Sequence, residues 1–309
     1  MKIGVYSISK NEAKHVRPWL AACGEADAIC VADTGSTDGT VDLLLAGGAK
    51  VTCYARPFRF DKARIYALEC AKAQAPEVEI WASFDLDEWP EAGWRDKLTA
   101  AVVADPAARG WRITIDNGSY SFQNIRVHRA DGWTWQHACH EVLIGPGPIR
   151  DAGVTVVHHQ DAGKTRDYLP LLELDAEENP TDARAWHYLG REYMYLSRWQ
   201  EALDALAKSL PFDTWGEQRS MTRVYMSRCY WRLGKNILAR EYAYKAIREC
   251  GTREAWVHLT WLLQETGDPS AGIAAEAALK VKRHVTYPSE ASAWQAAEGW
   301  LKKLTEAEE

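Results

Sequence analysis

Ala28-Ile29-Cys30-Val31-Ala32-Asp33 runs straight into Thr34-Gly35-Ser36-Thr37-Asp38-Gly39-Thr40. The first six residues read as a short buried strand that ends on a carboxylate. The next seven are turn formers, and the pattern after them is helical through residue 46. Gly47-Gly48 stops that helix, and Ser36 or Thr37 is placed to cap its start. Strand, polar turn and helix make one β–α unit. The same grammar extends on both sides. Upstream, residues 2–8 read as a strand and 13–23 as an amphipathic helix. Downstream, strands are predicted at 50–54 and 79–84, with a helix at 61–73 between them. Such alternation predicts a mostly parallel α/β sheet, whose ligands bind beyond the carboxyl ends of the strands. Polar residues collect at those predicted ends: 9–12, 33–38 and 85–88.

Residues 110–159 change texture. Strands are predicted at 111–116 and 122–129, joined by a turn at Gly118, and a last one at 154–159. These would close the sheet as a mixed β extension. Beyond them the chain is helical. Residues 164–178 read as a connecting helix stopped before Pro180. Trp186-x-x-Leu189-Gly190-x-x-Tyr193, followed by Trp199, Ala202 and Leu206, then fits the tetratricopeptide pattern. Arg223 and Trp256 hold the Trp186 slot in two further copies, with a short insertion around 212–218 and a capping helix at 289–304. Two domains are therefore expected: 1–162, α/β, and 163–309, an all-α superhelix. A superhelix of this kind presents a concave face suited to peptides or proteins.

Composition bounds the function. The chain has 309 residues, formal net charge −6 and a pI near 5.9, so it has no general attraction for nucleic acid or anionic membranes. No window approaches 18 uninterrupted apolar residues, which argues against a transmembrane segment. Seven scattered cysteines without a C-x-x-C pair read as reduced thiols, consistent with a cytoplasmic protein.

Three stretches carry chemistry. Asp85-Leu86-Asp87 ends a predicted strand. Paired carboxylates there suit a hard cation, Mn²⁺ or Mg²⁺, that neutralises a diphosphate leaving group. The alternative is a helix N-cap. The 33–40 turn suits recognition of a base or ribose, and Ser9-Lys10-Asn11-Glu12 follows the first strand. Trp89, Trp94, Trp133 and Trp135 lie near these stretches and offer ring faces to a sugar.

Ser-Ile-Ser-Lys-Asn-Glu at 7–12, the 31–40 stretch, Phe60-x-x-Ala63-Arg64 and Asp85-Leu86-Asp87-Glu88 stand in one order and spacing that resembles the family 2 glycosyltransferases of the GT-A fold. The subgroup resembled carries C-terminal tetratricopeptide helices, as in bacterial and phage S- or O-glycosyltransferases. That resemblance implies an inverting hexosyl transfer from a nucleoside diphosphate sugar, typically a UDP-sugar. It implies that Glu12 and Asp33 contact the nucleoside, which Ser9 and Asn11 at the end of the first strand are also positioned to touch, and that Arg64 faces the diphosphate. Asp85 would lie near the ribose or metal and Asp87 would bind the metal. His140-Glu141 matches the family's His-Glu pair, which makes Glu141 the expected base and His140 a second base or phosphate ligand. One of His158 and His159, with His158 preferred, is the expected late metal ligand. Lys164 and Arg166 would serve a closing flap. The family often has Asn after the arginine; this chain has Ile65. Three rival readings remain at this point: a repeat scaffold with a degenerate transferase domain, a nucleotidyltransferase, and a transferase acting on a glycan, lipid or nucleic-acid acceptor.

Overall fold

Ile3–Ser9 (β1) is apolar almost throughout because it lies mid-sheet and is covered on both faces. A computed structural model describes residues 1–118, 120–161, 167–282 and 288–306. The chain divides into two compact units, Met1–Arg166 and Asp167–Glu309.

In the first unit, α1 (Ala13–Ala22), β2 (Ala28–Asp33), α2 (Thr40–Ala46), β3 (Lys50–Cys53), α3 (Phe60–Gln74) and β4 (Ile80–Ser83) follow β1. Then come β5 (Glu88–Pro90), α4 (Trp94–Ala104), β6 (Gly110–Asp116), β7 (Ser121–Arg129), β8 (Thr134–Gln136), β9 (Val142–Ile144) and β10 (Ile149–His158). Eight strands form one mixed sheet in the order β3-β2-β1-β4-β7-β6-β10-β5, and β8 and β9 form a separate hairpin. Strands β3, β2, β1 and β4 are parallel, whereas β7 and β5 run against their neighbours. One face of the sheet packs on Val16 and Trp19 of α1, Leu44 of α2, and Trp94 and Leu98 of α4. The other packs on Ala67, Leu68 and Ala71 of α3 and on Trp135 and Leu143 of the small hairpin. Gly4 is fixed by its neighbour: a Cβ there would lie 2.4 Å from the Trp81 ring, in register on β4.

Three local expectations change. Helix α2 starts at Thr40, three residues after the expected 37, and no side chain caps it. The residues expected to cap it build a loop instead. The Thr37 amide donates to Asn11 Oδ1 (2.8 Å), and Asp38 accepts from the Thr40 hydroxyl (2.5 Å) and the Ala13 amide (3.0 Å). Asp85 and Asp87 sit in a turn between β4 and the short strand β5, not at a helix N-terminus. The last strand is also longer than the expected 154–159. It starts at Ile149, where pairing with Gly110 of β6 supplies the ladder partners that local sequence does not reveal.

The second unit is helical: α5 (Leu169–Glu178), α6 (Ala183–Tyr195), α7 (Trp199–Ser209), α8 (Gly216–Arg232), α9 (Asn236–Cys250), α10 (Arg253–Glu265), α11 (Ala271–Lys280) and α12 (Pro288–Glu306). Consecutive helices pair as α6·α7, α8·α9 and α10·α11, and α12 packs on α11. Trp186, Arg223 and Trp256 lie on α6, α8 and α10, the first helix of each pair. The expected connecting helix at 164–178 is seen from Leu169; Lys164 and Arg166 lie outside the described residues. Small repeat residues let the helices approach. A Cβ at Gly190 would lie 2.6 Å from Leu206 Cγ and 3.0 Å from its backbone nitrogen. Gly190→Ala should therefore destabilise the unit by about 1–3 kcal/mol despite its better helix propensity, read as a lower thermal midpoint of that unit. No helix among the described residues is long and apolar enough to cross a membrane.

Candidate active site

The carboxyl ends of β1, β2 and β4 bring the sequence-selected residues together. Ser9 and Asp33 are partners in the β1–β2 register, and the Ser9 hydroxyl donates to Asp33 Oδ1 at 2.9 Å. The same carboxylate accepts from the amides of Gly35 and Ser36, both at 2.9 Å, and from the Ser36 hydroxyl at 2.5 Å. Burial pushes the Asp33 carboxyl up, but the Ser36, Gly35 and Ser9 donors outweigh it and hold it below the ordinary value. Asp33 thus fixes the shape of the 33–40 loop. Asn11 (φ 56°) reaches the loop from the other side, its amide donating to Ser36 Oγ at 2.9 Å. Because the folded pKa of Asp33 is depressed, its contribution is complete above about pH 4 and is lost as pH falls through the folded value. Asp33→Ala should cost about 1–3 kcal/mol at pH 7, with a smaller difference at pH 3, checked by denaturant titration at both pH values.

Arg64 is the hub of the next layer. It projects from the first turns of α3 and is 4% exposed. Nη1 and Nη2 donate to Asp85 Oδ1 and Oδ2 at 2.7 and 2.9 Å, a bidentate pair. Nε donates to Glu141 Oε1 at 2.5 Å. The guanidinium lies over the Trp135 ring, 4.8 Å from its centroid. Burial raises the Asp85 carboxyl, but Arg64 and then Arg126 override that and hold it well below the carboxylate range.

Asp87 faces elsewhere. Its Oδ2 lies 3.4 Å from His158 Nε2, and the Nδ1 of that ring is 2.6 Å from Asn117 Oδ1. Burial alone would lower the His158 pKa; Asp87, Glu88 and Asp85 reverse the effect and raise it. His159 turns away, its ring tilted on Trp89 at 3.6 Å. Of the two histidines, His158 therefore stands with the aspartate. Asp87 and His158 offer one carboxylate and one imidazole, partly exposed at 19% and 23%, a pair that could hold Mn²⁺ or Mg²⁺ only with further oxygen ligands from water or a phosphate. Local charge fits as well. Arg64 and Arg126 face Asp85, Glu88 and Glu141, and Asp87 adds a further carboxylate beside them. Asp85, also expected near the metal, has both oxygens on Arg64.

His140 (φ 53°) and Glu141 lie between β8 and β9, so the small hairpin delivers Glu141 to Arg64. Glu12, 8% exposed, has its amide on Thr40 Oγ1 and its carboxylate 4.0 Å from His15 Nε2. Of the four tryptophans, Trp94 (0%) and Trp133 (5%) are core residues; Trp94 donates to the Ala22 carbonyl, and Trp133 packs where Cβ atoms at Gly110 and Gly145 would fall. Trp135 supports Arg64 from beneath.

Several participants escaped the sequence reading. Arg126 of β7 is 9% exposed, 3.3 Å from Glu88 Oε1 and 3.8 Å from Asp85 Oδ2, and lies over the same Trp135 ring. Glu88 receives the Asp85 amide at 3.0 Å and tightens the turn. Burial raises its carboxyl above the ordinary value. The Trp135 indole donates to Tyr6 Oη (2.9 Å), which lies 3.2 Å from His128 Nε2. Burial pushes His128 down to about 4, so the ring is neutral at pH 7 and its Nδ1–H donates to the Arg129 carbonyl. Nε2 is then the acceptor for Tyr6, and a fully bonded chain holds Trp135 in place. The available signal was the period-two polar run Asn124, Arg126, His128 in a strand otherwise expected to be half apolar.

No known family model matches the chain, and no curated protein matches it. Solved structures do. A crystal structure of MamA aligns over 45% of this chain and 82% of its own, at 15% identity and TM-score 0.34. The first tetratricopeptide domain of Spaghetti (RPAP3), bound to an HSP90 peptide, aligns over 41% and 94%, at 18% identity and TM-score 0.32. Glucosyl-3-phosphoglycerate synthase from Mycobacterium tuberculosis, in complex with Mn²⁺, uridine diphosphate and glucosyl-3-phosphoglycerate, aligns over 38% of this chain at 20% identity and TM-score 0.32. The match spans 45% of that synthase, less than half its length. These structures are similar in part only, and the residue geometry above stands without them.

Proposed function

We propose that the first unit is an inverting, cation-assisted glycosyltransferase that takes a sugar from a nucleoside diphosphate sugar. The observation that carries this reading is the convergence at the strand ends: the Ser9–Asp33 loop, the Arg64–Asp85–Glu141 ion pairs and the Asp87–His158 pair. The loop offers a polar, prearranged surface to a nucleoside. Asp87 and His158 would hold Mn²⁺ or Mg²⁺, which supplies charge neutralisation for the departing diphosphate when bound. Arg64 keeps Asp85 and Glu141 in fixed positions. Inversion requires a base on the acceptor side. Glu141 is that base; its Oε1 is committed to Arg64, which leaves Oε2 to take the proton. UDP is the favoured nucleotide, and the repeat helices are assigned to a peptide or protein acceptor.

The test is release of nucleoside diphosphate from a panel of nucleoside diphosphate sugars with Mn²⁺ or Mg²⁺. Metal-dependent release from at least one donor is expected. Pyrophosphate release from a sugar phosphate and a nucleoside triphosphate would instead mark a nucleotidyltransferase. Nucleotide binding without turnover on any acceptor would favour the scaffold reading.

A further inference from the structure

A second constellation lies in the first unit, apart from the Asp87–His158 pair. His15, on the first turn of α1, is 6% exposed. Its Nε2 is 3.1 Å from Asp161 Oδ1 and 4.0 Å from Glu12 Oε2. One ligand atom from each of Glu12, His15 and Asp161 lies within 4.8 Å of the other two. Trp89 lies against this group. Its ring meets His15 edge-on at 6.2 Å and His159 at 3.6 Å.

We propose that Glu12, His15 and Asp161 form a second divalent-cation site, of the imidazole–carboxylate type that takes Zn²⁺ or Mn²⁺. The spacing is close to what such a metal imposes. With bonds of about 2.0–2.2 Å, neighbouring ligand atoms around one ion stand roughly 3.0–3.5 Å apart. The His15–Asp161 distance already meets this, and Glu12, 4.0 Å from His15 Nε2, would draw in to complete the set. The charge also fits: two carboxylates converge on one imidazole from positions far apart in sequence, with the three side chains only 8–13% exposed. Lys14 supplies the local cation in the structure as it stands, through an ion pair to the Asp161 oxygen that His15 also contacts. The Lys14 side chain is 63% exposed and its stem is flexible, so it can swing out when a metal enters. A bound ion would fasten the loop after β1 to the segment that follows β10. None of its ligands belongs to the Asp87–His158 pair, although Glu12 is also among the residues expected to face the nucleoside.

The experiment is calorimetric titration of the full chain carrying Asp87→Ala, first with Mn²⁺, which thiolates bind poorly, and then with Zn²⁺. Binding of one equivalent is expected to survive that substitution. Adding Asp161→Asn or His15→Gln should weaken it at least about tenfold. Adding Lys14→Ala should tighten it severalfold, because the competing ammonium is gone. Should one ligand variant fail to fold, judged by its thermal melt, the other variant and Lys14→Ala still decide. No binding of either metal to the Asp87→Ala chain would overturn the proposal, as would affinity that is indifferent to His15, Asp161 and Lys14.

Discussion

Arg64→Met should lower the stability of the first unit by about 3–5 kcal/mol. The reason is what the change leaves behind. Asp85 gives both oxygens to Arg64, and Glu141 gives Oε1 to the same guanidinium. Removing the cation strands Glu141, 11% exposed, and leaves Asp85 only the longer 3.8 Å contact to Arg126, and breaking a buried pair costs more than the pair itself contributes. For a unit of this size each kcal/mol lowers the thermal midpoint by roughly 2–4 °C, so a drop of about 10 °C is expected. The pH dependence checks the cause. Asp85 is held well below the carboxylate range, so the pair's contribution is complete above about pH 4 and disappears as pH falls through the depressed value. The gap between wild type and variant should narrow on acidification. Adding Asp85→Asn should recover part of the loss, because one stranded charge is removed. A loss under about 1 kcal/mol, or a gap unchanged at pH 3, would contradict the hub role. The measurement must follow the melting of the first unit alone, since two units need not unfold together.

Asp87→Ala should reduce metal-stimulated release of nucleoside diphosphate by about 10³-fold and leave the fold nearly intact. Neutralising a diphosphate leaving group is worth several kcal/mol, and each 1.36 kcal/mol is a factor of ten in rate. The structural cost is small by contrast. Asp87 is partly exposed, and its described side-chain partner is His158 at 3.4 Å. A melting midpoint within a few degrees of wild type is the control. The residual rate should no longer respond to Mn²⁺. Full metal-stimulated activity in the variant would remove Asp87 from the metal site.

The strands and their order of appearance were legible because a mid-sheet strand such as Ile3–Ser9 carries an apolar run bounded by turn residues. The helical texture of the second unit was legible for a similar reason: Gly190, Ala202 and Leu206 stand where α6 and α7 meet. The start of α2 was not, because Ser36 and Thr37 serve equally well as caps and as loop staples. Asn11, a neighbour only in space, decides between the two. In the site, types could be read but pairings could not. Asp85 and Asp87 look equivalent in sequence, yet one turns to Arg64 and the other to His158. Arg126 gave only the weak signal of its period-two run with Asn124 and His128, since an arginine in a strand ordinarily points to solvent. Its burial depends on Trp135, which reaches it from a different hairpin. The His15–Asp161 contact is hidden for the same reason, its partners lying at opposite ends of the first unit.

The central claim, that the strand ends form a nucleoside diphosphate sugar site, is tested most directly by calorimetric titration of UDP into the full chain with and without Mn²⁺. Binding that strengthens by tenfold or more with the metal, and loses that gain in Asp87→Ala, is the predicted result. Absence of binding by UDP and by every other nucleoside diphosphate, at any Mn²⁺ or Mg²⁺ concentration, would contradict it.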